Sequence, residues 1–374
     1  VLPGGSDGLY RDALASPHTL AVRIEVWSDV DPVGVKLEQL PIITGSVQAT
    51  LQSRVARTLQ LTVDRSFYPV LQTGNLAPYG NVIKAYRGIE MGDGSTAYMW
   101  QVFEGRIQRT SLDSAGVCTV QAADYGSDVV AFAFETPENS SAGNLIPTEV
   151  QRLIASALPN AGFEAFDSYS ELVSPLVWES DRGAALDELA TTVGSFWYAL
   201  ADGQFTLRRY PWTVITAPVI SISDGPGGII TGWEVARARE QVFNSVIVTG
   251  ERLNGDEPVF AIARDTTPGS PTEYGSHFGV RVQHFRLQTP ASTGAAQTAA
   301  NDALRRDVAL VESWNWEQVP DAALELGDVV VLNIRTENRQ VIQVVEGLSI
   351  PLDLSGSMTV SGRSLIVPVL GLGS

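Results

Sequence analysis

The chain has 374 residues, 44% of them hydrophobic, which excludes a disordered chain and exceeds what one ordinary core holds. Its 42 acidic and 25 basic residues leave a formal charge of −17, which argues against a surface built to grip a nucleic-acid backbone. A single cysteine excludes an internal disulfide framework, and no run approaches the ~20 apolar residues that cross a bilayer.

The N-terminal segment lacks a basic region followed by an apolar core, so no secretory signal is expected. The first region, 1–135, reads as β. His18–Trp27 alternates, as do Leu59, Leu61 and Val63 within Arg57–Asp64, so each strand buries one face. Leu40–Ile43, Thr44–Thr50, Val82–Arg87, Ala97–Ile107 and Val117–Ala123 add further strand signals, and Gly88–Ser95, between two of them, reads as a connection turning at Gly92-Asp93-Gly94. Cys118 sits in the last of these strands and reads as a small buried hydrophobe.

The pattern changes between 136 and 215, a candidate second domain. Thr136–Gly143 has linker composition. Asn139-Ser140-Ser141 matches a glycosylation sequon by chance composition. Pro147 and Thr148 open a helix with Val150, Leu153, Ile154 and Leu158 on one face, and Thr148 is the expected cap. A second helix carries Ala185, Leu186, Leu189 and Val193, and Gly194 ends it. Phe196, Trp197, Tyr198 and Leu200 then lead into Ala201-Asp202-Gly203-Gln204, and Phe205–Arg208 lead out. Asp-Gly between these runs predicts a hairpin with a tight primed turn.

The third region, 216–374, returns to β. Strands are expected at Gly232–Val235, Val242–Glu251, Trp314–Val319, Val329–Ile334, Val341–Ile350 and Met358–Gly362. Residues 264–279 form a polar Gly/Pro/Ser-rich loop, either an exposed docking element or a segment that orders when a neighbour docks. An Ala-rich helix is expected over about 293–311, with Ala299, Ala303, Leu304, Val308 and Val311 at helical spacing.

Chemistry-bearing motifs are sparse. His18, His277 and His284 lack metal-ligand spacing, and Asp29, Asp31 and Asp93 are too thinly spread for a calcium loop. Ser245 has no nucleophile elbow, and Gly225-Pro226-Gly227-Gly228 is not followed by the Lys of a phosphate loop. The strongest enzymatic alternative is a glycosidase, which needs two carboxylates beside aromatic platforms. Its candidates are Glu179, Asp181, Glu312 and Glu317, near Trp178, Trp314 and Trp316. A carbohydrate- or receptor-binding module is the other alternative, supported by eight Trp and ten Tyr.

Four pieces in fixed order carry a resemblance. They are the helix with its aromatic hairpin, Asn244–Gly250, the Ala-rich helix, and Ala323-Leu324-Glu325-Leu326-Gly327-Asp328-Val329-Val330. Together, over about 145–362, they resemble bacteriophage tail hub proteins. The first region is similar to minor tail proteins of actinobacterial phages. The resemblance implies a mainly β fold with α+β insertions: two tail-tube-like β-barrel domains and a smaller helix–hairpin domain. In the last piece Gly327 would supply a turn and Asp328 would bond local backbone amides.

The resemblance also implies a role. The chain would be a virion subunit forming a homotrimeric ring at the distal end of the tail tube. Its expected partners are the distal tail or tail tube protein, the tape measure protein, and tail fibre or tip proteins. DNA would pass through the channel without specific binding. No catalytic, cofactor-binding or metal residues transfer from the family, no cofactor is expected, and the chain would not insert into a membrane. The acidic charge either lines the channel, where DNA slides rather than sticks, or lies on outer solvated faces.

Overall fold

The computed structural model describes residues 10, 14, 18–28, 34–51, 53–91, 97–211, 217–240, 242–250, 259–287, 293–308, 312–354 and 356–364. The expected turn at 92–95, Asp29, Asp31 and Asp93, the start of the chain, and the end of the Ala-rich helix at 309–311 lie outside them.

The first region supplies seven strands: β1 His18–Ser28, β2 Val35–Leu40, β3 Ile42–Thr50, β4 Arg57–Asp64, β5 Val82–Met91, β6 Ala97–Leu112 and β7 Val117–Ala123. Alternation decides their faces. In β4, Arg57, Leu59, Leu61 and Val63 turn inward, while Thr58, Gln60 and Asp64 face out. Cys118 on β7 is fully buried, as expected of a small hydrophobe.

The middle segment holds helix α1 Gly126–Ala131, β8 Glu138–Asn139, α2 Ile146–Ala157, β9 Phe163–Ala165, β10 Val177–Trp178, α3 Arg182–Thr192, β11 Ser195–Ala199 and β12 Phe205–Arg209. The N-cap of α2 is Leu145, without a side-chain cap bond, so Thr148 lies inside the first turn. Pro147 needs no backbone donor at that position, and this sets the start. Asp181 caps α3 by accepting from Ala184 N at 2.9 Å.

The hairpin β11–β12 forms, but its turn is not the primed type. Among the described residues Asp202 has no positive φ, whereas Gly203 has φ +82°. Leu200 N donates to Gln204 O at 2.7 Å and Gly203 N to Leu200 O at 3.0 Å. This is a three-residue loop ending on a left-handed glycine. Every residue of β11 is buried. Trp197 and Ala199 pack with Ile146, Val150 and Leu153 of α2 and Leu186 and Leu189 of α3. Phe196 and Tyr198 instead join the core of the main sheet. A continuous apolar run suits a strand covered on both faces.

The third region contributes β13 Ile220–Ser223, β14 Ile230–Ala236, β15 Ser245–Gly250, β16 Val259–Arg264, β17 Val282–Leu287, α4 Thr293–Val308, β18 Ser313–Gln318, β19 Val329–Ile334, β20 Arg339–Pro351 and β21 Met358–Ser364. The 13-residue β20 pairs with β19 along its first half and with β21 from Gln343. At Gly347–Pro351 it pairs with β3. The two β regions therefore share one 13-stranded sheet, in the order β14-β18-β21-β20-β3-β4-β7-β6-β5-β1-β2, with β19 paired to β20 and β13 to β19. The fold is mainly β with helical insertions, as expected. Among the described residues the path does not close into a barrel: it runs open from β14 to β2. Its core mixes Leu59, Leu61 and Val120 from the first region with Trp314, Trp316 and Leu332 from the third.

Three further strands, ordered β16-β15-β17, form a separate layer. One face packs Val246, Val248, Val259 and Ala261 on Ala296, Ala299 and Ala300 of α4. Alanines on the helix allow this close approach. No helix among the described residues is long and apolar enough to cross a membrane.

Candidate functional site

The segment Asp321–Asp328 is where the three parts of the chain meet. Asp321 accepts from Ala323 N at 3.0 Å and starts a compact turn. Gly327 has φ +78°, and a Cβ there would stand 3.0 Å from Phe196 Cζ, so the turn requires glycine. Asp328 accepts from Glu325 N at 3.1 Å, the backbone bond expected from the sequence.

Asp328 does more than this. Arg208 of β12 donates to Asp328 Oδ1 at 3.2 Å and to Leu326 O at 2.8 Å. Tyr198 donates to the same Leu326 carbonyl at 3.4 Å. Arg57 of β4 pairs with Glu325 and lies 5.9 Å from the Tyr198 ring centre. Arg57 N in turn donates to Asp124 at 2.6 Å, and Asp124 also accepts from Gly126 N at 2.9 Å. Arg57, Arg208, Asp124 and Asp328 are all buried. Burial pushes the Asp124 carboxyl up to about 6 despite these donors, and pushes the Tyr198 hydroxyl above the ordinary tyrosine range.

Each buried charge at this junction faces an opposite charge or a backbone amide. The arrangement fixes the angle between β4, the hairpin and the approach to β19. It offers no nucleophile beside a base and no open acid pair. Sequence reading found Gly327 and Asp328 but missed Arg57 and Arg208. Arg208 had one available signal: it is a charge inside a strand otherwise buried on both faces.

A second polar assembly holds the 264–279 loop. Asn244, fully buried ahead of β15, donates to Thr272 O at 3.0 Å and Gly279 O at 2.7 Å. Its Oδ1 accepts from Arg281 N at 2.9 Å. Asp265 accepts from Thr267 N at 3.1 Å and from the Ser270 and Thr272 hydroxyls, each at 2.6 Å. Tyr274 N closes the loop on Asp265 O at 2.7 Å. The loop is thus clamped by its own chain.

The glycosidase candidates do not assemble as that chemistry needs. Trp178, Trp314 and Trp316 are buried, and Trp178 and Trp316 spend their indole N–H groups on Glu149 at 2.9 Å and Gln318 at 2.7 Å. Glu317 is exposed next to buried Trp316 on β18, so strand alternation points it away from the ring, and Glu179 is exposed just past the end of β10. Asp181 caps α3 and pairs with Arg54 at 3.1 Å. Glu312 accepts from Arg339 at 2.7 Å. Asp181 and Glu312 have structural partners, and the tryptophans are core.

His277 and His284 are exposed, on the loop and on β17, while His18 opens β1. Among the described residues no cluster of His, Cys, Asp and Glu is suited to a metal ion. Two clefts border the helix–hairpin unit. One, of about 610 Å³, has Arg54, Asp187, Tyr210, Gln283 and Arg306 in its wall. The other, of about 630 Å³, lies between Trp27, Lys84, Tyr125 and the turn at Asp202–Gln204. In the second, Lys84 is already paired with Glu104 at 3.0 Å, and Tyr125 donates to Glu104 at 3.1 Å.

No protein-family model and no curated protein matches the chain. Solved structures do match. The structure is similar to a tail protein from Neisseria meningitidis MC58, with a TM-score of 0.64 at 13% identity over 92% of this chain and 96% of that one. It is similar to the 43 kDa tail protein of prophage MuSo2 from Shewanella oneidensis, with a TM-score of 0.61 at 11% identity over 92% and 98% of the two chains. The prophage tail protein gp18 from Listeria monocytogenes gives a TM-score of 0.52 at 11% identity over 91% and 94%. The chain has the fold of these tail proteins along nearly its whole length.

Proposed function

We propose that this chain is a structural hub subunit of a bacteriophage tail tip or baseplate. The observation that carries the reading is the end-to-end likeness to the Neisseria and Shewanella tail proteins, which spans nearly all of each chain. In this reading the subunit resides in the virion, at the end of the tail, after assembly in the host cytoplasm. Three copies form a ring at the distal end of the tail tube and adapt it to tip or fibre proteins. The distal tail or tube protein and the tape measure protein are its neighbours, and DNA passes through the ring unbound. The units of this assembly are 1–135, 136–215 and 216–374.

The role is geometric rather than catalytic. A hub must hold its parts at fixed angles under load, and the buried Arg57–Glu325 and Arg208–Asp328 pairs do this between distant segments. The glycosidase alternative loses its aromatic platforms to the core.

The test is the mass of the purified protein in solution, followed by negative-stain imaging and an assay on cell-wall glycan. A three-copy ring with a central opening and no glycan cleavage is expected. Cleavage that disappears in folded Glu312→Gln or Glu179→Gln protein would overturn the non-catalytic role.

A further inference from the structure

The layer β16-β15-β17 has a second face, opposite α4. The register places nine side chains on it in three rows: Arg264, Ser245 and Val282; Ile262, Ile247 and His284; Phe260, Thr249 and Arg286. Phe260 is 52% exposed and Val282 38% exposed, and Val280 beside them is 52% exposed. Ile247 and Ile262 are half-buried. Apolar side chains this exposed on an ordered sheet mark a surface that another molecule covers.

The charge of the face identifies the partner. None of its nine residues is acidic, in a chain with 42 acidic residues and a formal charge of −17. Arg264 and Arg286 form no ion pair among the described residues; Arg264 instead lies over Tyr274, 4.6 Å from the ring centre. Arginine, aromatic and aliphatic side chains together are the composition of a protein–protein contact. The abundant acidic surface available to such a face is that of the chain itself. Glu234 and Glu317, for example, are exposed on the outer side of β14 and β18.

We propose that the outer face of β16-β15-β17 docks on the acidic surface of a second copy of this chain. The contact is head to tail, because a basic face cannot pair with itself. Head-to-tail contacts generate a ring where the rotation closes. The proposal rests on the hub reading for the ring, and it adds the surface that builds it.

The experiment compares the wild type with Arg286→Glu and Phe260→Ser by solution mass at low and high salt. Both side chains are exposed, so unchanged circular dichroism and melting temperature are required as controls. Wild-type protein is expected to form a multi-copy species that salt weakens. Each variant should weaken self-association by about tenfold or more. If the wild type assembles and the folded variants assemble equally well, the docking face is wrong and the ring reading stands. Wild-type protein that stays monomeric at every concentration overturns the docking proposal and the self-assembling ring together. Salt-sensitive binding of a single-stranded oligonucleotide to the wild type, lost in Arg286→Glu, would reassign the face to nucleic acid.

Discussion

Arg208 donates to Asp328 Oδ1 at 3.2 Å across 120 residues of chain, tying the second strand of the aromatic hairpin to the turn that starts β19. Both side chains are buried, so neither has water to replace its partner. Removing one member of such a pair leaves the other charge stranded, which costs about 3–5 kcal/mol. Arg208→Ala and Asp328→Ala should each lower stability by that amount in thermal or denaturant melts. Arg208→Met with Asp328→Leu should cost clearly less than either single change, since no charge remains uncompensated. Single changes that cost under about 1 kcal/mol would show that water reaches the junction.

Asp265 sets a pH limit on the clamped loop. Burial acts to raise its carboxyl, but the Ser270, Thr272 and Thr267 donors outweigh burial and hold it below the ordinary 3.8. A depressed folded-state value means that its contribution is present above 3.8 and lost as pH falls through the folded value. Protection of the Thr267 and Tyr274 amides, taken relative to intrinsic exchange at each pH, should therefore be high at neutral pH and fall below about 3.8. In Asp265→Asn the same amides should exchange faster at neutral pH and lose this pH dependence. A variant as protected as the wild type would show that Asn244 holds the loop alone.

Asp124 has the opposite sign. Its carboxyl is pushed up from 3.8 to about 6, mainly by burial, against the amide donors of Arg57 and Gly126. The folded state therefore takes up a proton more readily than the unfolded chain does. Its contribution is full below 3.8 and lost as pH rises through about 6. The stability advantage of wild type over Asp124→Asn should shrink across that window, read from denaturant midpoints at a series of pH values. An advantage that grows with pH would mean the carboxylate is held ionised by its neighbours.

Much of the fold was legible because alternation is local. Arg57–Asp64, Val117–Ala123 and Val329–Ile334 have the bounds that the pattern predicts. The joining of both β regions through β20 and β3 was not legible, because pairing between residues about 300 apart leaves no trace in local periodicity. The hairpin turn was misread for a related reason. Asp-Gly signals a positive φ but does not say whether one residue or two adopt it, and here Gly203 alone does. The motif residues Asn244 and Asp328 were visible, whereas their partners in the 264–279 loop and at Arg208 were fixed only by tertiary structure.

Trp316 and Glu317 separate the structural reading from the enzymatic one. They are adjacent on β18 but point to opposite faces: Trp316 is 1% exposed and Glu317 is exposed. Trp316→Ala empties a core position and should cost about 3–5 kcal/mol. Glu317→Gln removes a surface charge without a packing role and should stay within about 0.5 kcal/mol of wild type. Under the hub reading, assembly fails with Trp316→Ala through lost folding, whereas Glu317→Gln folds like wild type and weakens assembly only by the loss of one acidic docking charge. Thermal melts and solution mass of the two variants check this together. A Glu317→Gln protein that melts like wild type yet loses a measurable activity on glycan would place chemistry on the outer face of β18.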